Sequence, residues 1–546
     1  MTDTQRRRLL TALAAAAGVA AAAPFAWRQL RGGTRTAAST ASVAAPAASP
    51  AQRFIEPLRI PGREGLMAEL PLSRAGTLTA QASRFQVLAG ADTEVWHYAA
   101  EHEGRRLANP LLRARRGEAI DLQLHNRLTE VTTVHWHGLA LDEANDGSGL
   151  HPLPAGAHQR IRYTVRDRAG LYWYHAHPHH RTGRQLQMGL AGLLMVEDEE
   201  ELALRERLGL AWGERDLPLM LADKQVDAGN AITYKDCADD WIGNRMLVNW
   251  TPEPYLDVVP GLYRFRIANV CNARMLRPAF VHDGQPLPMQ LLGVDGGLLA
   301  QPWPMDDLFL APAQRVDVLV DFGGIAAGEH VMLRSLDYAA MENEDESGAF
   351  AGDPIADHPG AVPMGGALDI MQLRVQAGDG VPLHRAFDAL PARLAELPAL
   401  PDTAGWPVRD LRLRMDSEGR WFINDWNFND TGHEPVFSVR RGSREIWELR
   451  NAMTSMPHPI HLHGFPFRVL SRAISPPDVR GRAVAEGGRG PQDMGYCDTV
   501  VVWPGEVVRI AIDFSQPFTG TQRYMLHCHN LEHEDMGMML TFAVTD

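Results

Sequence analysis

Cysteine is scarce. Cys237, Cys271, Cys497 and Cys528 are the only four among 546 residues, so no disulfide framework holds this chain together, even in an oxidising compartment. Cys237 and Cys271 lie in one region, and their spacing leaves a bridge and two buried thiols equally open. Positive charge is the minority as well: 53 basic residues face 67 acidic ones, for a formal net charge of −14. That balance argues against nucleic acid as a partner and leaves neutral or cationic small molecules open.

The length is too great for one ordinary domain and fits roughly three or four. The first segment, "MTDTQRRRLLTALAAAAGVAAAAPFAW", sets Arg6, Arg7 and Arg8 before an Ala/Leu run with small-residue cleavage candidates around Ala21 to Ala26. It reads as a twin-arginine export signal over 1–30, which makes the export machinery a partner and the periplasm, or another exported location, the destination. Retention as a membrane anchor is the alternative, and the weakly hydrophobic alanine-rich core favours removal. Residues 31–52 are low-complexity Ala/Ser/Thr/Pro and read as a flexible tether.

Beyond the tether, short β-rich runs recur between Gly/Pro/Asn/Asp clusters: "EAIDLQLHNRL", "QRIRYTV", "GLYRFRIANV", "QRVDVLVDF", "REIWELRNA" and "TVVVWPGEVVRIAIDF". Alternating apolar positions with frequent turns predict an all-β chain of antiparallel sandwiches. One pattern, a glycine-led start and a strand ending in Asn, appears three times: "RGEAIDLQLHNRL" (116–128), "PGLYRFRIANV" (260–270) and "RGSREIWELRNAM" (441–453). The repeats imply three similar domains, near 53–200, 205–375 and 400–546, with the Ala/Leu/Pro-rich 383–404 as linker and "MENEDESGAFAGDPIADHPGAVPMGG" as a long surface loop.

Four His-x-His pairs stand out: His135/His137, His175/His177, His461/His463 and His527/His529. Residues two apart on a strand share a face, so each pair offers two imidazoles to one side. A single pair is weak evidence; four in β context, divided between the first and third repeats, point to a multinuclear metal site. The last pair flanks Cys528 in "HCHNLEHEDMGMM", so the cysteine faces away from both neighbours. His458 stands an odd number of residues before His461 and turns the same way as Cys528. One face therefore collects Cys528, His458, His533 and Met538, the soft thiolate, two imidazoles and weak thioether of a blue-copper electron-transfer centre. The other face collects eight imidazoles.

With "HWHG", "WYHAH", "HPIHLHG" and "HCHNLEHEDMGM" in this order, the chain resembles the three-domain bacterial multicopper oxidases, the laccase-like and cuprous oxidases, over nearly everything past the tether. The resemblance implies three cupredoxin-like Greek-key β-sandwich domains and four copper ions. It places a type 1 copper on His458, Cys528, His533 and Met538, a type 2 copper on His135 and His461, and a type 3 pair on His137, His175, His177, His463, His527 and His529. The trinuclear cluster then lies between domains 1 and 3. It also implies the reaction: single electrons enter at type 1, and the cluster passes four to dioxygen, giving two waters. Asp146 and Glu534 match acids that deliver protons in similar bacterial oxidases; the competing reading of each is a solvated loop acid.

His179 and His180 receive no metal and read as surface or hydrogen-bonded residues. Met453, Met456, Met494 and Met536 near the type 1 ligands are core filler or, alternatively, a Cu(I) docking set. A methionine-rich insert has no counterpart between Leu336 and Asp402, where Met341, Met364 and Met371 are scattered. Thr454 stands where some similar proteins carry an acid four residues before the ligand His458. The expected activity is a laccase-like, monomeric oxidase of phenols, aromatic amines or metal ions. Its alternative is a copper-tolerance cuprous oxidase, and beyond these stand a nitrite reductase and a non-enzymatic copper-binding scaffold.

Overall fold

The strand Ala119–Asn126 buries Ile120, Leu122 and Leu124 and exposes Ala119, Asp121 and Gln123, the period of two expected where one sheet face meets a core. In this computed structural model, which describes residues 53–62, 64–235, 240–341, 358–378 and 386–546, such strands assemble into six sheets. The expected export signal, the tether and Cys237 lie outside the described residues, as does most of the acidic loop that begins at Met341.

Sheets of six and five strands are drawn from the first third of the chain, of seven and five from the middle, and of five and five from the last. Parallel neighbours far apart in sequence, such as Thr77–Phe85 with Ala119–Asn126, show chain crossing between the two sheets of a sandwich rather than simple meandering. The apolar core of the first sandwich gathers around Trp136, Tyr174 and Leu194, and one larger core runs through the second and third. The 386–404 stretch crosses between these last two, with Leu394 N donating to Ala300 O and Arg468 donating to Pro398 O. Among the described residues no helix is long and apolar enough to cross a membrane.

The repeated terminal asparagine has one job in all three sandwiches. Asn126 Nδ2 donates to the carbonyls of Glu130 and Leu153, Asn269 Nδ2 to those of Arg274 and Leu310, and Asn451 Nδ2 to those of Met456 and Val502. Each amide satisfies carbonyls at the point where the strand ends and a loop must turn back. The third of them anchors Met456, two residues before His458.

The middle strand departs from the expected alternation. Leu262–Asn269 is buried throughout, including Arg264 and Arg266. The helix Glu199–Arg207 lies over this face and brings Glu201 to Arg264 at 2.9 Å, and Asp216 pairs with Arg266 at 2.6 Å. Buried guanidinium groups are tolerable only with such carboxylates against them.

Candidate metal centre

Two antiparallel pairings position the histidines. In the third sandwich, His458–Leu462 pairs with Gln522–Cys528 so that His461 sits opposite His527 and Ile460 opposite Cys528. His461 and His527 therefore share one face, and Cys528 faces the other with Ile460 and His458. In the first sandwich, His135 sits opposite His175 and His137 opposite Trp173. Trp173, two residues before His175, stacks on its ring at 4.2 Å and walls the site.

On the Cys528 face, the Nδ1 atoms of His458 and His533 lie 3.5 and 3.6 Å from Cys528 Sγ. The Asn530 N–H points at the same sulfur from 3.4 Å, and Cys528 N donates to the Met538 carbonyl at 3.0 Å, which fixes Met538 beside the ligands. Met538 is fully buried. Burial pushes the Cys528 thiol up and the His458 imidazole down to about 3. Alone, these groups are neutral; a cation is what makes a thiolate stable here, and binding it releases the proton. Ser455 Oγ stands 3.0 Å from His458 Nε2, three residues before the ligand. It supplies the partner that Thr454 left open in the sequence.

The other face gathers all eight imidazoles of the His-x-His pairs, every one buried. His527 Nε2 lies 3.2 Å from His177 Nε2 and 3.0 Å from His463 Nε2. Around this trio three of the remaining five rings donate Nδ1–H to a fixed acceptor: His135 to the Asp146 carbonyl at 2.8 Å, His461 to the Asp498 carbonyl at 2.8 Å, and His175 to the Ala176 carbonyl at 3.0 Å. Their Nε2 atoms are left buried with no hydrogen-bond partner. His137 is reversed, with Nε2 against Asp498 Oδ1 at 3.0 Å and Nδ1 bare, and both nitrogens of His529 are bare. A buried imidazole nitrogen without a donor or acceptor is costly unless a metal takes its lone pair. The donor set fits copper on both faces: thiolate and imidazole on one, imidazole alone on the other.

Three carboxylates border the eight imidazoles. Asp146 ends the short helix Glu143–Asp146, and Oδ2 accepts from His463 Nδ1 at 2.9 Å. The helix stops at Gly147, φ 73°, where an added Cβ would stand 1.8 Å from the Val134 carbonyl. Burial raises Asp146 to about 8. Glu534, on the helix Leu531–Asp535, lies 3.1 Å from His527 Nδ1 and 3.3 Å from His177 Nδ1. Burial alone would raise it, but these two imidazoles outweigh burial and hold it below the usual carboxylate range. Asp498, which no sequence pattern singled out, contacts His137 and His461, and the Arg315 guanidinium overcomes burial to hold it low.

The outlying candidates separate. His179 Nε2 pairs with Asn429 and His180 Nδ1 with the Asp535 carbonyl, so neither ring reaches the imidazole cluster. Met453 is exposed, Met494 and Met536 are half-buried, and Met456 alone borders a small hollow beside the Cys528 site. Its other walls include Met275, Met364, Tyr338, Asp240 and Asn530. Met275 and Met364 come from distant segments, and nothing in their local sequence marks them.

Sequence and structure comparisons follow the same lines. Models of the family described as multicopper oxidase match residues 80–201 and 407–546. A laccase of Bacillus subtilis is 30% identical over 448 residues, spanning 76% of this chain and 80% of that protein. A bilirubin oxidase of Albifimbria verrucaria is 31% identical over 441 residues, spanning 80% of this chain and 71% of its own length. The crystal structure of McoA multicopper oxidase from Aquifex aeolicus superimposes with a TM-score of 0.78 at 32% identity, covering 90% of this chain and 99% of that one.

Proposed function

This chain belongs to the multicopper oxidase family, and from that premise we propose which of its residues hold each copper and which reductants it takes. It is an all-β, cupredoxin-like oxidoreductase that couples oxidation of a substrate to reduction of dioxygen. In our reading His458, Cys528, His533 and Met538 hold a type 1 copper. His135 and His461 hold a type 2 copper, and His137, His175, His177, His463, His527 and His529 hold a type 3 pair, four ions in all. When bound, these ions supply one-electron acceptance on the Cys528 side and four-electron delivery to dioxygen on the imidazole side.

The observation that carries this reading is the covalent link: Cys528 belongs to one face, while its chain neighbours His527 and His529 belong to the other. A few bonds of one strand join the two sites. The protein's own tasks are then to fix the ring orientations, to keep water from the thiolate by burial and to move protons through Asp146 and Glu534. A copper count of four per chain, with an intense blue band, tests the assignment; fewer than four with the band intact rejects the imidazole partition.

The reductant docks at the mouth of the small hollow beside the Cys528 site, where Asp240 Oδ1 lies 3.7 Å from His533 Nε2. Phenols and aromatic amines would meet it at its mouth, because its interior of about 20 Å³ holds little more than a water molecule. A second reading, oxidation of Cu(I), is favoured by the three thioethers of Met275, Met364 and Met456 on that wall beside the Asp240 carboxylate, a soft set for a soft ion. Steady-state rates with a phenol and with Cu(I), each with and without added Cu(II), separate the two. We further read the chain as exported to the periplasm through the twin-arginine machinery and active as a monomer.

Two variants probe the type 1 site. Met538→Leu is expected to retain copper and raise the reduction potential, because a weak thioether ligand would donate electron density that favours Cu(II); an unchanged potential in redox titration would remove Met538 from the ligand set. Ser455→Ala frees His458 Nε2 and is expected to weaken type 1 copper retention by about 10- to 100-fold, the usual scale for a partner of a ligating histidine. Chelator titration of the blue band measures it, and wild-type retention would show that Ser455 does not hold the ring.

A further inference from the structure

One guanidinium, from the sandwich that supplies no histidine to either site, sits directly behind the imidazole cluster. Arg315 begins the strand Arg315–Asp321 of the middle sandwich and is buried. Its Nη1 and Nη2 meet Asp498 Oδ1 and Oδ2 at 2.8 and 2.6 Å, a bidentate fork. Nη1 also donates to the Ala313 carbonyl at 3.1 Å, Nη2 to the Asp295 carbonyl at 3.0 Å, and Nε to the Leu171 carbonyl at 3.0 Å. All five N–H donors of the side chain are thereby used. Their acceptors come from all three sandwiches: Leu171 from the first, Ala313 and Asp295 from the second, Asp498 from the third.

Asp498 is the hinge of the arrangement because it commits two rings to opposite nitrogens. Its main-chain carbonyl accepts from His461 Nδ1 and leaves Nε2 bare, while its carboxylate accepts from His137 Nε2 and leaves Nδ1 bare. A second, independent sign is Gly138, the glycine of "HWHG". A Cβ there would stand 2.5 Å from Asp498 Oδ2 and 2.9 Å from Arg315 Nη2, so the motif's glycine is the space the fork occupies. We propose that Arg315 is a positioning residue of the oxygen-reducing site, which through Asp498 sets the ring orientation and metal-facing nitrogen of His137 and His461. The middle sandwich is then part of the trinuclear site rather than a spacer. This rests on the cluster assignment proposed above.

Lysine cannot reproduce the fork: it offers three donors from one point and keeps only the charge. Copper-loaded Arg315→Lys, challenged with EDTA, is expected to lose type 2 copper about 10- to 100-fold faster than wild type, with an altered type 2 electron paramagnetic resonance signal and an unchanged blue band. The same type 2 signal and retention as wild type would overturn the proposal. Equal loss from both centres, alongside a lowered melting temperature, would also overturn it by reducing Arg315 to a general structural pair. If Arg315→Lys yields no folded protein, Arg315→Gln with Asp498→Asn puts neutral amides in the same space and is read by the same criteria. Wild-type protein without a type 2 signal would sink the cluster assignment itself, and this inference with it, whereas a normal wild type beside an unaffected variant sinks only the role of Arg315.

Discussion

Cys528→Ser is expected to abolish the blue colour and bring oxidase turnover to background while the chain stays folded. The side chain is buried between His458 and His533, and serine fits the same space, so the fold loses little packing. What is lost is chemical. A hydroxyl is a hard donor that stays protonated and gives no soft, covalent bond to copper, and the short covalent path from Cys528 to His527 and His529 loses its entrance. Absorption spectroscopy and oxygen uptake measure the two losses, and circular dichroism checks the fold. A variant that kept its blue band would place the chromophore elsewhere and remove Cys528 from the assignment.

The second large effect falls on the oxygen half-reaction. Glu534→Gln is expected to keep the copper complement and near-normal bleaching by a reductant, while reoxidation by dioxygen slows by about 100-fold or more, within the range for loss of a positioned acid or base. Both carboxylate oxygens are buried, 3.1 and 3.3 Å from two cluster imidazoles, where an amide can fill the space but cannot carry a proton. Asp146→Asn should show the same pattern with a smaller loss, because the amide oxygen can still accept from His463. The two acids are shifted in opposite directions, Asp146 raised to about 8 by burial and Glu534 held below the usual carboxylate range by its imidazoles against burial, so they exchange protons in different pH ranges. Wild-type reoxidation should therefore fall as pH rises through Asp146's titration, at about 8 or lower since bound copper's charge can only draw it down, and this limb should vanish in Asp146→Asn. Stopped-flow reoxidation at wild-type speed in both variants would return the two residues to ordinary buried acids.

Strand period and chain neighbours are properties of the covalent chain, and what depends on them alone was legible. The alternation in "EAIDLQLHNRL" became a half-buried strand, the repeated asparagine marked three equivalent strand ends, and the odd spacing of His458 from His461 set it on the side of Cys528. The opposition of Cys528 to both its neighbours needed no coordinates at all. Contacts between distant segments leave no such local trace. Arg264 and Arg266 hold the charged positions of an alternating run, and nothing in that run shows that a helix from elsewhere lays Glu201 over them. Ser455 reached His458 because the loop anchored by Asn451 curls back. Met275 and Met364 became neighbours of Met456 only in the folded chain, and Asp498 lay beside a cysteine and a threonine without a motif of its own. A spacing of two residues fixes which face a side chain takes. A separation of 183 positions between Arg315 and Asp498 fixes nothing until packing of the three sandwiches brings the guanidinium against the carboxylate, where burial makes each charge require the other.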